Sequence, residues 1–196
     1  MENTGGRSLM YQLCKSMAFC HGHGVLTQDL KPQNLLMDRN TMTLKIADPW
    51  ISQTEPFTLP MKKYTHEILT LFYRAPEVLL GATHYSSAVD IWSVGCIFAE
   101  LVNKHVIFAG DSELLRIFRL LGTPNEPSVA WSEHTQDWHE YPQWKPLSLS
   151  TAVPNLDEAG LDLLSKMLVY EPAKRISVKK AMEHPYFDDL PQKSSL

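Results

Sequence analysis

Asp29-Leu30-Lys31-Pro32-Gln33-Asn34-Leu35-Leu36-Met37 is the stretch on which the reading of the fold turns, followed closely by Leu44-Lys45-Ile46-Ala47-Asp48. The first half of it is polar and carries a proline, which suits a loop. Leu35-Leu36-Met37 and residues 44–47 are short apolar runs joined by Asp38, Arg39 and Asn40, and that order predicts a small β-hairpin. A carboxylate, a cation and an amide (Asp29, Lys31 and Asn34) thus stand on the loop entering the hairpin, and Asp48 stands where it leaves.

Outward from the hairpin the chain reads as helices. Residues 7–20 place Leu9, Met10, Leu13, Met17 and Cys20 at helical spacing, and Gly22 and Gly24 stop them. Residues 49–67 hold no period and include Pro49, Pro56 and Pro60, a loop long enough to serve a function. Residues 87–102 are apolar on nearly every side, which predicts a helix through the centre of the domain. Asp111 or Ser112 is expected to cap a helix running to Leu121, ended by Gly122 and Pro124. Residues 131–154 are rich in proline and aromatic side chains, including Trp138, Tyr141 and Trp144, and predict an ordered loop over the core. Residues 156–168 are amphipathic, and Ser177 is expected to cap a last helix ending at His184-Pro185. The reading is one mainly α domain over residues 1–190 with a flexible tail at 191–196.

Composition narrows the classes. The 196 residues are 44% hydrophobic and 20% charged, an ordinary globular balance. A net charge of −4, with the signs mixed along the chain, leaves no basic footprint for nucleic acid. The first residues are polar and the apolar runs are short, so neither a secretory signal nor a membrane span is expected. Cys14, Cys20 and Cys96 are read as buried, reduced thiols of an intracellular protein. His21 and His23 stand near two of them, yet no C-x-x-C or H-x-x-x-H spacing makes a metal site.

The order D-x-x-x-x-N, then Asp48, then Ala75-Pro76-Glu77 carries the chemistry. Any one of these strings is alone a polar turn; in this order, on a loop–hairpin–loop–buried-helix plan, they resemble the protein kinase catalytic loop and activation segment. Phosphoryl transfer needs a carboxylate to take the substrate hydroxyl proton, oxygens to hold Mg²⁺, and a cation beside the moving phosphate. Further strings sharpen the match: Lys31-Pro32-Gln33-Asn34, Tyr64-Thr65-His66-Glu67, Tyr73-Arg74-Ala75-Pro76-Glu77, Asp90-Ile91-Trp92-Ser93-Val94-Gly95-Cys96 and Leu121-Gly122-Thr123-Pro124. Together they resemble the cyclin-dependent Ser/Thr kinases, and most of all the plant B-type mitotic members, over residues 8–190.

That resemblance implies the helical C-terminal lobe of a kinase, with one small β-hairpin and without the N-terminal β lobe. It implies ATP and Mg²⁺ as cofactors, protein substrates with Ser/Thr-Pro sites, a cell-cycle role, and residence in the nucleus or cytoplasm. By it Asp29 is the catalytic carboxylate, Lys31 the cation on the transferred phosphate, and Asn34 and Asp48 the metal ligands. Leu36 would floor the adenine pocket, against the plainer reading of a core leucine. Leu69, Thr70 and Arg74 would shape the pocket for proline after the target residue. Thr65 would be the activating phosphorylation site, or else an ordinary loop threonine. Asp90 would brace the catalytic loop and Glu77 would pair with Arg175; the plainer reading leaves both as surface carboxylates. Residues 110–123 resemble part of the surface that meets cyclin-kinase-subunit proteins.

Several positions depart from that pattern. No G-x-G-x-x-G loop or V-A-I-K-like strand is present, and the helix that contacts cyclin belongs to the same half, so cyclin binding is not expected. Thr27 and Gln28 stand in the His and Arg places before the catalytic Asp, and Gln53 in the place of a second phosphate-receiving arginine. Asp48-Pro49-Trp50 replaces Asp-Leu-Gly, setting a rigid residue and a bulky one where glycine allows a turn. Three outcomes follow: part of an active kinase, a non-catalytic binding module, or the product of a decayed duplicate, with little or no phosphotransfer expected.

Overall fold

The computed structural model describes residues 3–27, 29–38, 40–47, 52–53, 59–60, 71–82, 84–110, 112–125 and 140–191. Helix α1 runs over Asn3–Gly22. It starts a turn earlier than the apolar spacing predicts, because its polar first turn carries no apolar signal. Met10, Leu13, Cys14 and Met17 form its buried stripe at i, i+3, i+4 and i+7. The helix closes where the His23 amide donates to the Cys20 carbonyl and Gly24 turns left-handed at φ 69°.

The predicted hairpin is β2 (Leu35–Asp38) paired antiparallel with β3 (Thr43–Ile46), with Leu36 opposite Lys45. It is fastened to α1 through Gln12, whose amide donates to the Met42 carbonyl and accepts from the Leu44 amide. Two further pairings accompany it. Strand β1 (Val25–Leu26) meets β4 (Ser52–Gln53), and β5 (Leu59–Pro60) meets β6 (His84–Tyr85). Strands of two residues are too short to show a period, and their partners lie far off in sequence.

Helix α3 (Ala88–Asn103) runs through the centre, buried without a break from Val89 to Ala99. Gly95 is required there: a Cβ would lie 3.0 Å from Leu168 Cδ2 and 3.1 Å from Met167 Cβ. That absence of a side chain lets α6 (Glu158–Met167) close on α3. Short helix α2 (Pro76–Leu79) precedes α3, and α4 (Glu113–Leu121) follows it. Ser112 takes the N-cap position of α4, but its side chain makes no capping bond.

Residues 140–148 cross α4 as an extended strap. Thr123 Oγ1 donates to the Pro142 carbonyl and accepts from the Trp144 amide, and Arg119 lies over the Trp144 ring at 5.3 Å. The strap leads into α5 (Leu149–Ala152), a single turn without a sequence signal of its own. Asp157 caps α6 by accepting from the Gly160 amide, and Ser177 caps α7 (Val178–Met182). Among the described residues no helix is long and apolar enough to cross a membrane. Cys14 and Cys96 are buried, whereas Cys20 is half-buried, correcting the expectation of three buried thiols. No three His, Cys, Asp or Glu side chains gather as a metal-binding group among the described residues.

Candidate active site

Residues 29–34 lie between α1 and the hairpin, with Leu30 buried in the core and the others partly or fully open to solvent. Lys31 Nζ lies 2.7 Å from Asp29 Oδ2, and both side chains are partly open to solvent. Asn34 Nδ2 donates to the Asp29 carbonyl at 2.9 Å. The Asn34 carbonyl accepts from the Ala47 amide at 2.8 Å, which binds the loop to the exit of the hairpin. Between them Pro32–Asn34 form a 3₁₀ turn with the proline at its first turn, where its missing N–H costs nothing. The turn brings the carboxylate, the ammonium and the amide within one short arc.

Beneath that arc, Asp90 of α3 is buried and richly supplied with donors. Thr27 gives it both a backbone N–H (3.2 Å) and a hydroxyl (2.8 Å), and His21 Nε2 lies 2.9 Å from Oδ2. Such burial is tolerable for a carboxylate only when donors surround it. The Thr27 carbonyl in turn accepts from the Asp29 amide at 2.6 Å. Sequence offers His21 only as a metal ligand, which its spacing rejects, yet it stands four residues beyond Met17, at the next position of the α1 stripe. That spacing was the available signal.

Glu77 and Arg175 meet deep in the protein, each carboxylate oxygen 2.6 Å from a guanidinium nitrogen. Arg175 also donates to the carbonyls of Val169, Tyr170 and Ala88. Tyr73 is held from two sides: its hydroxyl donates to Glu100 Oε2 at 2.6 Å, and its carbonyl accepts from Ser93 Oγ at 2.7 Å. Burial, then the neighbouring carboxylate, raises the Tyr73 phenol well above its usual range, so it remains a donor. Tyr73 enters the sequence reading only as part of the Tyr73-to-Glu77 string, and nothing in sequence signals its bond to Glu100.

Leu36 is 59% exposed, which excludes the plain core reading. Arg74 is half-buried, its amide donating to the Leu71 carbonyl. Asp48, Thr65, Leu69 and Thr70, with Gln28, Pro49 and Trp50, lie outside the described residues. Beside the loop, an apolar groove of about 330 Å³ runs between α1, the hairpin and α3, with Glu100 and Lys104 at one side.

A helical body that holds a D-x-x-x-x-N loop against a buried central helix is the architecture of a protein kinase large lobe, and the family model described as the protein kinase domain matches residues 1–187. The chain belongs to the protein kinase family, in its cyclin-dependent branch. It is 80% identical over 193 residues to cyclin-dependent kinase B2-2 of Arabidopsis thaliana, covering 97% of the chain and 61% of that relative. It is 74% identical to cyclin-dependent kinase B2-1 of the same plant over the same shares of each chain. Cell division control protein 2 homolog D of Antirrhinum majus is 70% identical over 187 residues, 94% of the chain and 59% of that relative. The chain thus spans about three fifths of the length of the curated relatives it matches.

Proposed function

We propose that this chain is the large lobe of a proline-directed, cyclin-dependent Ser/Thr kinase whose phosphotransfer is severely impaired or lost. Residues 1–190 are its one domain. The observation that supports the kinase half of this reading is the arc of Asp29, Lys31 and Asn34, tied together and set on a buried carboxylate. In it Asp29 would take the proton of the substrate hydroxyl at its carboxylate. Lys31 would set positive charge beside the transferring group. The side-chain oxygens of Asn34 and Asp48 would hold Mg²⁺, a donor set that suits this ion, which takes few protein ligands besides phosphate and water. ATP with Mg²⁺ supplies the phosphoryl group when bound. Leu36 would lie under the adenine ring, and Leu69, Thr70 and Arg74 would favour proline after the target residue.

The chain's own residues carry the impairment. Kinase catalysis is mainly positioning and electrostatics, and displacing one reacting group by about 1 Å can lose on the order of 10²-fold in rate. Pro49 and Trp50 alter the turn that would aim Asp48. Gln28 and Gln53 remove two cations that would receive a phosphate on Thr65, so that modification would order nothing.

The test is MgATP-dependent labelling of a Ser-Pro or Thr-Pro peptide by the 196-residue chain. The expected rate equals that of Asp29→Asn. Turnover of about 1–100 s⁻¹, the ordinary kinase range, that Asp29→Asn abolishes would overturn the impairment.

A non-catalytic binding role is the second reading, supported by α4 and the strap fastened to its end through Thr123. Residues 110–123 would present this surface to a cyclin-kinase-subunit protein. Capture of such a protein by the chain, lost on Glu113→Lys, supports it; equal capture by the variant rejects it.

A further inference from the structure

Thr27 stands where the kinase pattern has histidine, and by sequence it reads as a lesion. In the structure it is fully buried at 0% exposure, and its hydroxyl is spent on a charged partner. Donors from α1 and from the loop converge on Asp90, which is 1% exposed, among them the His21 imidazole and the Thr27 amide on Oδ2 and the Thr27 hydroxyl on Oδ1. Without the hydroxyl, Oδ1 would lose a partner inside the protein, a costly deficit for a carboxylate. From the other side of the same residue, the Thr27 carbonyl accepts the Asp29 amide. Asp29 then carries Lys31 on its carboxylate and Asn34 on its carbonyl.

We infer that Thr27 is a positioning residue: its side-chain hydroxyl anchors the loop bearing Asp29 to α3, replacing an imidazole by a short charge-assisted bond. The β-branched side chain suits this role, because it has few rotamers to lose when the bond forms. His21 braces the same carboxylate from α1, so three segments of the chain meet on Asp90. The substitution at position 27 therefore leaves the loop held, and the impairment proposed above belongs to Asp48-Pro49-Trp50, Gln28 and Gln53. The functional meaning of the anchor rests on the kinase reading of Asp29, while the anchor itself does not.

The experiment is amide hydrogen exchange by NMR on the full chain, comparing Thr27→Val, which keeps the shape and removes the hydroxyl, with Thr27→Ser, which restores it. The Thr27→Val chain should exchange the amides of residues 27 and 29 at least about tenfold faster, while Leu163 and Leu164 of α6 keep their rates. Thr27→Ser should stay within about twofold of the parent. A tenfold change corresponds to about 1.4 kcal/mol of local opening free energy. Equal acceleration of α6 and the loop, or no change at residues 27 and 29, overturns the inference. Should the valine chain fail to fold, the parent decides: a slowly exchanging Thr27 hydroxyl proton supports the anchor, and its absence overturns it. Neither readout requires phosphotransfer, so an inactive chain and a failed anchor are told apart.

Discussion

Arg175 and Glu77 stand 98 residues apart in sequence and form a two-pronged ion pair in which the arginine side chain is 0% exposed and the glutamate 3%. The guanidinium also lies 5.1 Å from the Trp92 ring centroid and closes three backbone carbonyls, so one side chain joins the segment after α6 to α2 and α3. Removing one charge of such a pair leaves the other buried alone. Glu77→Ala should lower unfolding free energy by about 3–5 kcal/mol in urea titration. Glu77→Leu with Arg175→Met should recover only part of the loss, because the carbonyls of Val169, Tyr170 and Ala88 lose their donor. A single variant within about 0.5 kcal/mol of the parent would contradict the pairing.

The carboxyl of Asp162 is held below its usual range, first by the bond from Lys166 and then by His184. A carboxylate with a lowered folded pKa adds stability that is fully present above its unfolded value, near about 4, and is lost as pH falls through the folded value. Thermal midpoints measured between pH 6 and pH 3 should therefore fall less for Asp162→Asn than for the parent. Asp162 is half exposed, so the difference should be small and should shrink further in high salt. Parallel curves would remove Asp162 from the acid response.

Burial alone pushes the Cys14 thiol up to about 12, and burial raises Cys96 as well. The thiolate is the reactive form, so both should resist a disulfide reagent at pH 8 in the folded chain. Half-buried Cys20 should react first, and the full set of three cysteines only in denaturant. Mass spectrometry locating early label on Cys14 would refute the packing of α1.

Gly160 and Gly6 make a matched pair on helices. A Cβ at Gly160 would meet the Leu156 side chain and come within 2.9 Å of the Tyr186 ring, whereas one at Gly6 would meet nothing within 4 Å. Gly160→Ala should destabilise by about 1–3 kcal/mol through overpacking. Gly6→Ala should stabilise by up to about 1 kcal/mol, since alanine loses less backbone freedom in a helix. The opposite signs are read from denaturation midpoints, and a shared sign would reject the placement of α6.

Sequence legibility followed the strength of local signals. The α1 stripe from Met10 to Met17, the unbroken apolar run of α3 and the Leu35–Asp38 hairpin strand were all readable, because period and turn chemistry act over a few residues. The two-residue pairings of β1 with β4 and β5 with β6 were not, since nothing local marks a strand whose partner is distant. Leu36 shows the same limit: its apolar run predicts a strand, but which face is left open depends on what packs beside it.

A helical kinase lobe with a loop offering Asp29, Lys31 and Asn34 could be read from the residues in line, because motif order and periodicity are local properties of the chain. The roles of the polar groups inside came from three-dimensional packing: Thr27 and His21 share Asp90, Tyr73 gives its hydroxyl to Glu100, and Cys20 is half-buried. The physical reason is that a buried donor takes whichever acceptor the folded packing brings within about 3 Å, and that acceptor usually comes from a segment far away in sequence.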